Sequence, residues 1–189
     1  ILKPLTQRSF AAITDPRQLG QLMRDIDQYS GTFIVRCALQ LSALTMLRPG
    51  ELRHAEWAEI DFETATWTIE IRRMKARAHI KRANQTVHIV PLSQQAVHIL
   101  QELHPLTGRF QYIFPSARGA SRCMSENTVR LALRTMGYDK ETMTAHGFRS
   151  TASSLLNELG WNPDAIERQL AHKDTNPIRG IYNRGKYMD

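Results

Sequence analysis

Apolar residues recur three and four apart along most of this 189-residue chain, and the exception constrains the fold most: from Thr66 the spacing drops to two. Trp67, Ile69 and Ile71 share one side there, while Thr68 and Glu70 share the other. Val87 and Ile89 repeat the alternation just before Pro91, so residues 67–71 and 86–90 are expected to pair as an antiparallel hairpin. One small antiparallel sheet set among helices makes this a mainly α protein of the α+β class.

The helical stretches carry their own stops and starts. Asp15-Pro16 supplies a cap and a proline at the first helical position, and Leu19, Leu22, Met23 and Ile26 form the inward stripe of a helix that should end near residues 30–31. In the next helix Ile34, Cys37, Ala38, Leu41, Leu44 and Thr45 recur at three and four. That pattern stops before Arg48-Pro49, because the residue ahead of a proline resists helical backbone. Pro49-Gly50-Glu51-Leu52 then begins a short third helix, which places Arg48 at a junction that main-chain geometry aims. Ser93 caps a helix with Val97, Leu100 and Leu103 inward that should give out at His104-Pro105, and Tyr112-Ile113-Phe114-Pro115 reads as extended and buried. Ser125 caps a helix carrying Val129, Leu133 and Met136 that ends at Gly137. A helix holding His146 and Arg149 on one face and Phe148, Ala152, Leu155, Leu156 and Leu159 on the other closes at Gly160. Pro163 opens a short helix with Ile166 and Leu170, and Pro177 opens the last one, which holds Tyr182.

The chain has a formal charge of +7 and a pI near 9.8. That balance favours a polyanionic partner, nucleic acid ahead of anionic lipid, since Lys and Arg near phosphates release condensed counterions. Two cysteines without a Cys-x-x-Cys pair argue against zinc or dithiol chemistry and fit a reducing cytoplasm. The most apolar stretch, residues 33–47, is interrupted by Arg36 and Gln40, so no membrane partner is expected. The chain opens at Ile1 and stops at Asp189, and is expected to be part of a longer protein: residues 1–13 a linker, residues 14–189 a single domain.

Arg48, Glu51, Lys75, His146, Arg149, His172 and Tyr182 stand apart as side chains able to act on a phosphate. They lie in Leu47-Arg48-Pro49-Gly50-Glu51-Leu52, Met74-Lys75, His146-Gly147-Phe148-Arg149, Leu170-Ala171-His172 and, ten residues on, Tyr182. Any one of these motifs is weak alone, whereas five in this order are specific. On them the chain, from about Phe33 to Tyr187, resembles the catalytic domain of the tyrosine recombinases, the phage integrase family, and most of all prophage and genomic-island integrases.

The resemblance implies the fold of that catalytic domain, and a recombinase that cuts and rejoins double-stranded DNA at attachment sites. Tyr182 would be the nucleophile, leaving a 3′-phosphotyrosyl bond and a free 5′-hydroxyl. Arg48 and Arg149 would hold the non-bridging oxygens as the transition state gains charge, since their forked donors are always protonated. A phenol has a pKa of about 10 and must lose its proton as it attacks, which points to neutral His146 as acceptor. Lys75 would protonate the leaving oxygen, His172 would bond a non-bridging oxygen, and Glu51 would orient its neighbours. Tyr187, the rival nucleophile, stands too far from His172 for the family pattern. No metal or nucleotide is needed, because the covalent intermediate conserves the bond energy. The full-length protein would assemble as a tetramer on DNA, preceded by a DNA-binding region, in the bacterial cytoplasm on the nucleoid. The same residues could instead nick and close DNA as type IB topoisomerases do, or belong to a DNA-binding module without chemistry; a metal-dependent nuclease has no ligand cluster at suitable spacing.

Between the two expected strands, residues 72–82 include six Lys or Arg and no acidic residue. Arg72, Arg73, Arg77, Lys81 and Arg82 are therefore the candidate DNA contacts. Relatives run more directly from the Met-Lys pair to the Val-Pro-Leu-Ser type stretch, so residues 80–87 look additional. Relatives also carry a tail helix after the nucleophile, and none is visible here. Replacing residues 80–86 by a short turn should weaken DNA binding and flatten its salt dependence; a binding titration at several salt concentrations that gives parental affinity and slope would refute this role.

Overall fold

Asp15 starts the first helix as its sequence implies. The computed structural model describes residues 10–74 and 87–171, and in it the Asp15 carboxylate accepts the Gln18 N–H at 2.9 Å at the head of α1 (Pro16–Asp27). Leu22 and Ile26 are fully buried, with Leu19 and Met23 packed beside them. The helix ends at Asp27, ahead of the glycine, because the Gln28 and Tyr29 N–H groups close its last turn on the Arg24 and Ile26 carbonyls.

Thr32 caps α2 (Phe33–Thr45), the central helix, which packs against α1 and against four later helices. Its inward side is Cys37, Ala38, Leu39, Leu41, Ser42 and Thr45, with the two hydroxyls returned to carbonyls one turn back at 2.7 Å. Leu44, expected inside, lies at the surface, and Leu39 takes the buried place: α2 is surrounded, so more than one stripe is covered. Met46 then takes left-handed backbone, φ 55°, and ends the helix two residues before Arg48. The short α3 (Pro49–Arg53) follows directly.

Beyond a 3-10 turn at Trp57–Glu59, β1 (Ile60–Asp61), β2 (Thr66–Glu70) and β3 (Val87–Pro91) form an antiparallel sheet in chain order. The expected hairpin is present, but its inward face on β3 is the other one. Trp67 pairs with Val90 and Ile69 with His88, and residues directly opposite share a side. The core face therefore carries His88, Val90 and Leu92, while Ile89 opposite Thr68 is 46% exposed. The alternation of Val87 and Ile89 thus runs one residue out of phase with the core face, and a shift of one residue turns every side chain over. Ile71 stays buried yet leaves the strand for a 3-10 turn, Ile71–Arg73.

Four helices and a second hairpin complete the described chain. α4 (Gln94–Thr107) runs past His104-Pro105, since Pro105 withholds one N–H only and Gly108 N–H still closes the final turn on the His104 carbonyl. Ile113 and Phe114 are fully buried as expected, and they lead into an unforeseen hairpin of β4 (Pro115–Ser116) and β5 (Gly119–Cys123). α5 (Thr128–Thr135) starts three residues after Ser125, whose hydroxyl serves the preceding turn through the Asn127 N–H. It ends on Gly137 at φ 92°, and the Tyr138 hydroxyl then donates to Asp25 at 2.6 Å, tying this turn to α1. α6 (Gly147–Glu158) closes on Gly160 at φ 77°, as expected, though Leu159 lies exposed rather than on the buried stripe. α7 (Pro163–Gln169) buries Ile166, with Leu170 just beyond it. Among the described residues no helix is long and apolar enough to cross a membrane.

The reversed face of β3 has a simple test. Val90→Ala should destabilise the fold by about 2 kcal/mol or more through the cavity it leaves. Ile89→Ala should stay near 0.5 kcal/mol. Urea denaturation that ranks the two the other way would restore the original parity.

Candidate active site

Arg48 is aimed from both ends by one carboxylate. As the residue before Pro49 it is extended, φ −65° and ψ 143°, and its own N–H donates to Glu51 Oε2 at 3.0 Å. Its Nη1 donates to Glu51 Oε1 at 2.9 Å, so the main chain and the guanidinium are fixed together. Glu51 is only 4% exposed.

Arg149 reaches the same place from α6. That helix begins where it does because the Thr144 hydroxyl accepts the Gly147 N–H at 2.9 Å, and the Arg149 N–H closes the first turn on the His146 carbonyl. The guanidinium is 4% exposed; Nη1 donates to the Met46 carbonyl and Nη2 to the Leu170 carbonyl at 2.7 Å. Arg48 Nη2 points to the next carbonyl along, Ala171, at 3.5 Å. Both carbonyls lie past the end of α7, outside that helix's own hydrogen-bond ladder, and Gln169 Nε2 joins that end to the Thr45 carbonyl of α2 at 2.9 Å. The negative ends of two helix dipoles thus converge on two guanidiniums.

Burial is the largest influence on Arg149, followed by the charge of Arg48, and together they lower its pKa to about 10 against the opposing pull of Glu51 and Glu167. It stays protonated at neutral pH while sensing its neighbour, which suits a pair built for an anion.

His88, which the inverted parity of β3 hid, is the site residue that sequence reasoning missed. It is 5% exposed and interacts with Glu51, Arg48, Arg149 and the Gln169 backbone carbonyl, and its buried Nε2 has no hydrogen-bond partner among the described residues. Burial chiefly holds its pKa below the usual imidazole range; Glu51 and the Gln169 carbonyl act the other way, and the two arginines add to the lowering. A polar residue in register with Ile69 was the available signal.

His146 stands at the head of α6, half-buried, three residues before Arg149. Lys75, His172 and Tyr182 lie outside the described residues, although the Ala171 carbonyl under Arg48 belongs to the residue just before His172. Of the basic loop, Arg77, Lys81 and Arg82 also lie outside. Arg72 is exposed beside Glu70, where it can face a partner. Arg73 is otherwise engaged: Nη2 pairs with Glu59 at 2.5 Å and Nη1 donates to the His54 carbonyl at 2.6 Å, so it anchors the base of the loop instead of lying open to DNA. Among the described residues no three His, Cys, Asp or Glu gather to hold a metal ion.

Residues 13–188 match the model of the phage integrase family. The integrase of Enterobacteria phage P4 is 39% identical over 181 residues, covering 93% of this chain and 41% of that protein. Prophage integrase IntA of Escherichia coli (strain K12) is 40% identical over 174 residues, covering 92% and 40%. The chain therefore spans well under half the length of these relatives. Among solved structures, the fold is similar to the Tn1549 transposon integrase in complex with transposon right end DNA, with a TM-score of 0.71 at 15% identity over 96% of this chain and 64% of that one. It is also similar to a lambda integrase dimer bound to a COC′ core site, with a TM-score of 0.63 at 18% identity over 99% and 52%.

The lowered pKa of His88 sets a pH dependence. The unfolded chain takes up a proton at this residue near pH 6.5, whereas the folded chain takes it up only at lower pH. The contribution of neutral, buried His88 is thus present above about pH 6.5 and falls away as the pH drops toward its folded pKa. Urea midpoints should decline more steeply below pH 6.5 in the parent than in His88→Gln; parallel curves would count against a buried neutral imidazole.

Proposed function

This chain belongs to the phage integrase family, the tyrosine recombinases, and on that premise we propose that it carries the strand-transfer chemistry of a site-specific DNA recombinase. The observation that supports this most is the convergence of Arg48 and Arg149 on the adjoining carbonyls of Leu170 and Ala171, directly ahead of His172. A scissile phosphate at that point would meet two planar, permanently charged donor groups whose charge is already balanced by Glu51 and two helix ends. In this reading Glu51 keeps the Arg48 fork at a fixed angle.

The phenolic oxygen of Tyr182 attacks phosphorus in line with the 5′-oxygen. The O–P bond to tyrosine forms as the P–O5′ bond breaks, His146 takes the phenolic proton, and Lys75 gives a proton to the departing 5′-oxygen. His172 donates to a non-bridging oxygen. Religation runs the same steps backward with a 5′-hydroxyl from a partner strand, so bonds made equal bonds broken and no cofactor enters. Arg72, and Arg77, Lys81 and Arg82 on the segment outside the described residues, would meet the DNA backbone. The whole protein would act as a tetramer on paired attachment sites of a mobile element, in the cytoplasm on the nucleoid.

Incubation with a duplex carrying a 5′-bridging phosphorothiolate, followed by denaturing electrophoresis, should trap a covalent protein–DNA adduct that Tyr182→Phe abolishes. Arg149→Ala should slow adduct formation by about 100-fold or more, since it removes charge stabilisation from the transition state. Lys75→Ala should be slow on the oxygen substrate and near parental on the sulfur one, because a thiolate leaves without a proton. An adduct that survives Tyr182→Phe would overturn the assignment of the nucleophile.

A further inference from the structure

His146 has its backbone set by the turn from Thr144 to Gly147, at the head of α6. The segment just before α1 lies against it. The ring of Phe10 packs on the imidazole with centroids 4.3 Å apart and planes tilted by 43°. The next residue holds the turn itself: the Ala11 carbonyl accepts both the Thr144 N–H and the Thr144 hydroxyl, each at 3.2 Å. The approach is close enough to require glycine at 147, since a Cβ there would stand 2.3 Å from the Ala11 oxygen and 3.0 Å from Met143 Sδ. Ile13, 4% exposed, then fastens the segment in the core ahead of Asp15 and α1.

We infer that Phe10 and Ala11 form a strap that positions the His146 imidazole, with Phe10 as a positioning residue for it. The strap grips both sides of the histidine: an aromatic wall restricts the ring, and a doubly used carbonyl fixes the turn from which the ring springs. This inference rests on the reading in which His146 takes the proton of the attacking phenol, where a displaced ring removes the acceptor from reach.

Two readouts test it. In the first, the His146 ring signals are followed by NMR through a pH titration of the DNA-free chain. Phe10→Ala should remove the ring-current shift and move the titration midpoint, Gly147→Ala should do the same by pushing Ala11 away, and Phe10→Trp should restore parental behaviour. In the second, single-turnover adduct formation at saturating DNA should fall roughly tenfold or more in Phe10→Ala with unchanged DNA affinity. The loss should depend on pH, and Phe10→Trp should recover most of the rate. Imidazole signals that are identical in the parent, Phe10→Ala and Gly147→Ala would overturn the strap, and so would a parental rate in Phe10→Ala at every pH. Absence of any adduct from the parent would instead strike the recombinase reading, with the NMR titration still deciding whether the strap exists.

Discussion

Two guanidinium groups drawn to one point repel each other, and the architecture around this site is largely the answer to that repulsion. Like unit charges about 4 Å apart oppose one another by roughly 4 kcal/mol at an effective dielectric of 20. One buried carboxylate, Glu51, and the carbonyl ends of α2 and α7 supply the compensating negative charge. Each of these has to end or begin at a set residue. The left-handed turn at Met46 presents its carbonyl to Arg149, Pro49 holds Arg48 extended, and Gln169 fastens α7 to the end of α2. Displacing any of the three helices would leave a buried cation without its acceptors, a costly arrangement.

The sheet serves the same point from the opposite side. β3 brings His88 beneath the arginines, and the turn after β2 is pinned before the chain leaves the described region. Met74 is buried, its N–H returns to the Ile71 carbonyl at 3.1 Å, and Arg73 is held by Glu59 and His54. The described chain therefore closes at Met74 on a turn held at three points.

What could be read ahead of the coordinates followed from strong local rules. The Asp15-Pro16 start, the stop before Arg48-Pro49 and the closures at Gly137 and Gly160 each depend on one residue's backbone preferences, and all four stand. Arg48, Glu51 and Arg149 were legible because the motifs holding them pair a charged residue with a helix boundary. Parity on β3 was not legible, since Val87, Ile89 and Val90 offer apolar residues to both faces and only the register with Trp67 and Ile69 decides between them. The part of Arg73 was hidden for a similar reason: a run of cations looks uniform until Glu59, fourteen residues earlier, is seen to lie beside one of them. His88 fell between these two difficulties.

Ala171 sits at φ 48°, a conformation in which an L-residue pays roughly 1–2 kcal/mol, and its carbonyl faces Arg48 as a result. A β-branched side chain would resist that bend, so main-chain shape restricts the choice of amino acid at this spot. A saturation mutagenesis map would consequently show position 171 accepting glycine and asparagine and rejecting β-branched residues, because what it contributes is a direction in space and no functional side chain.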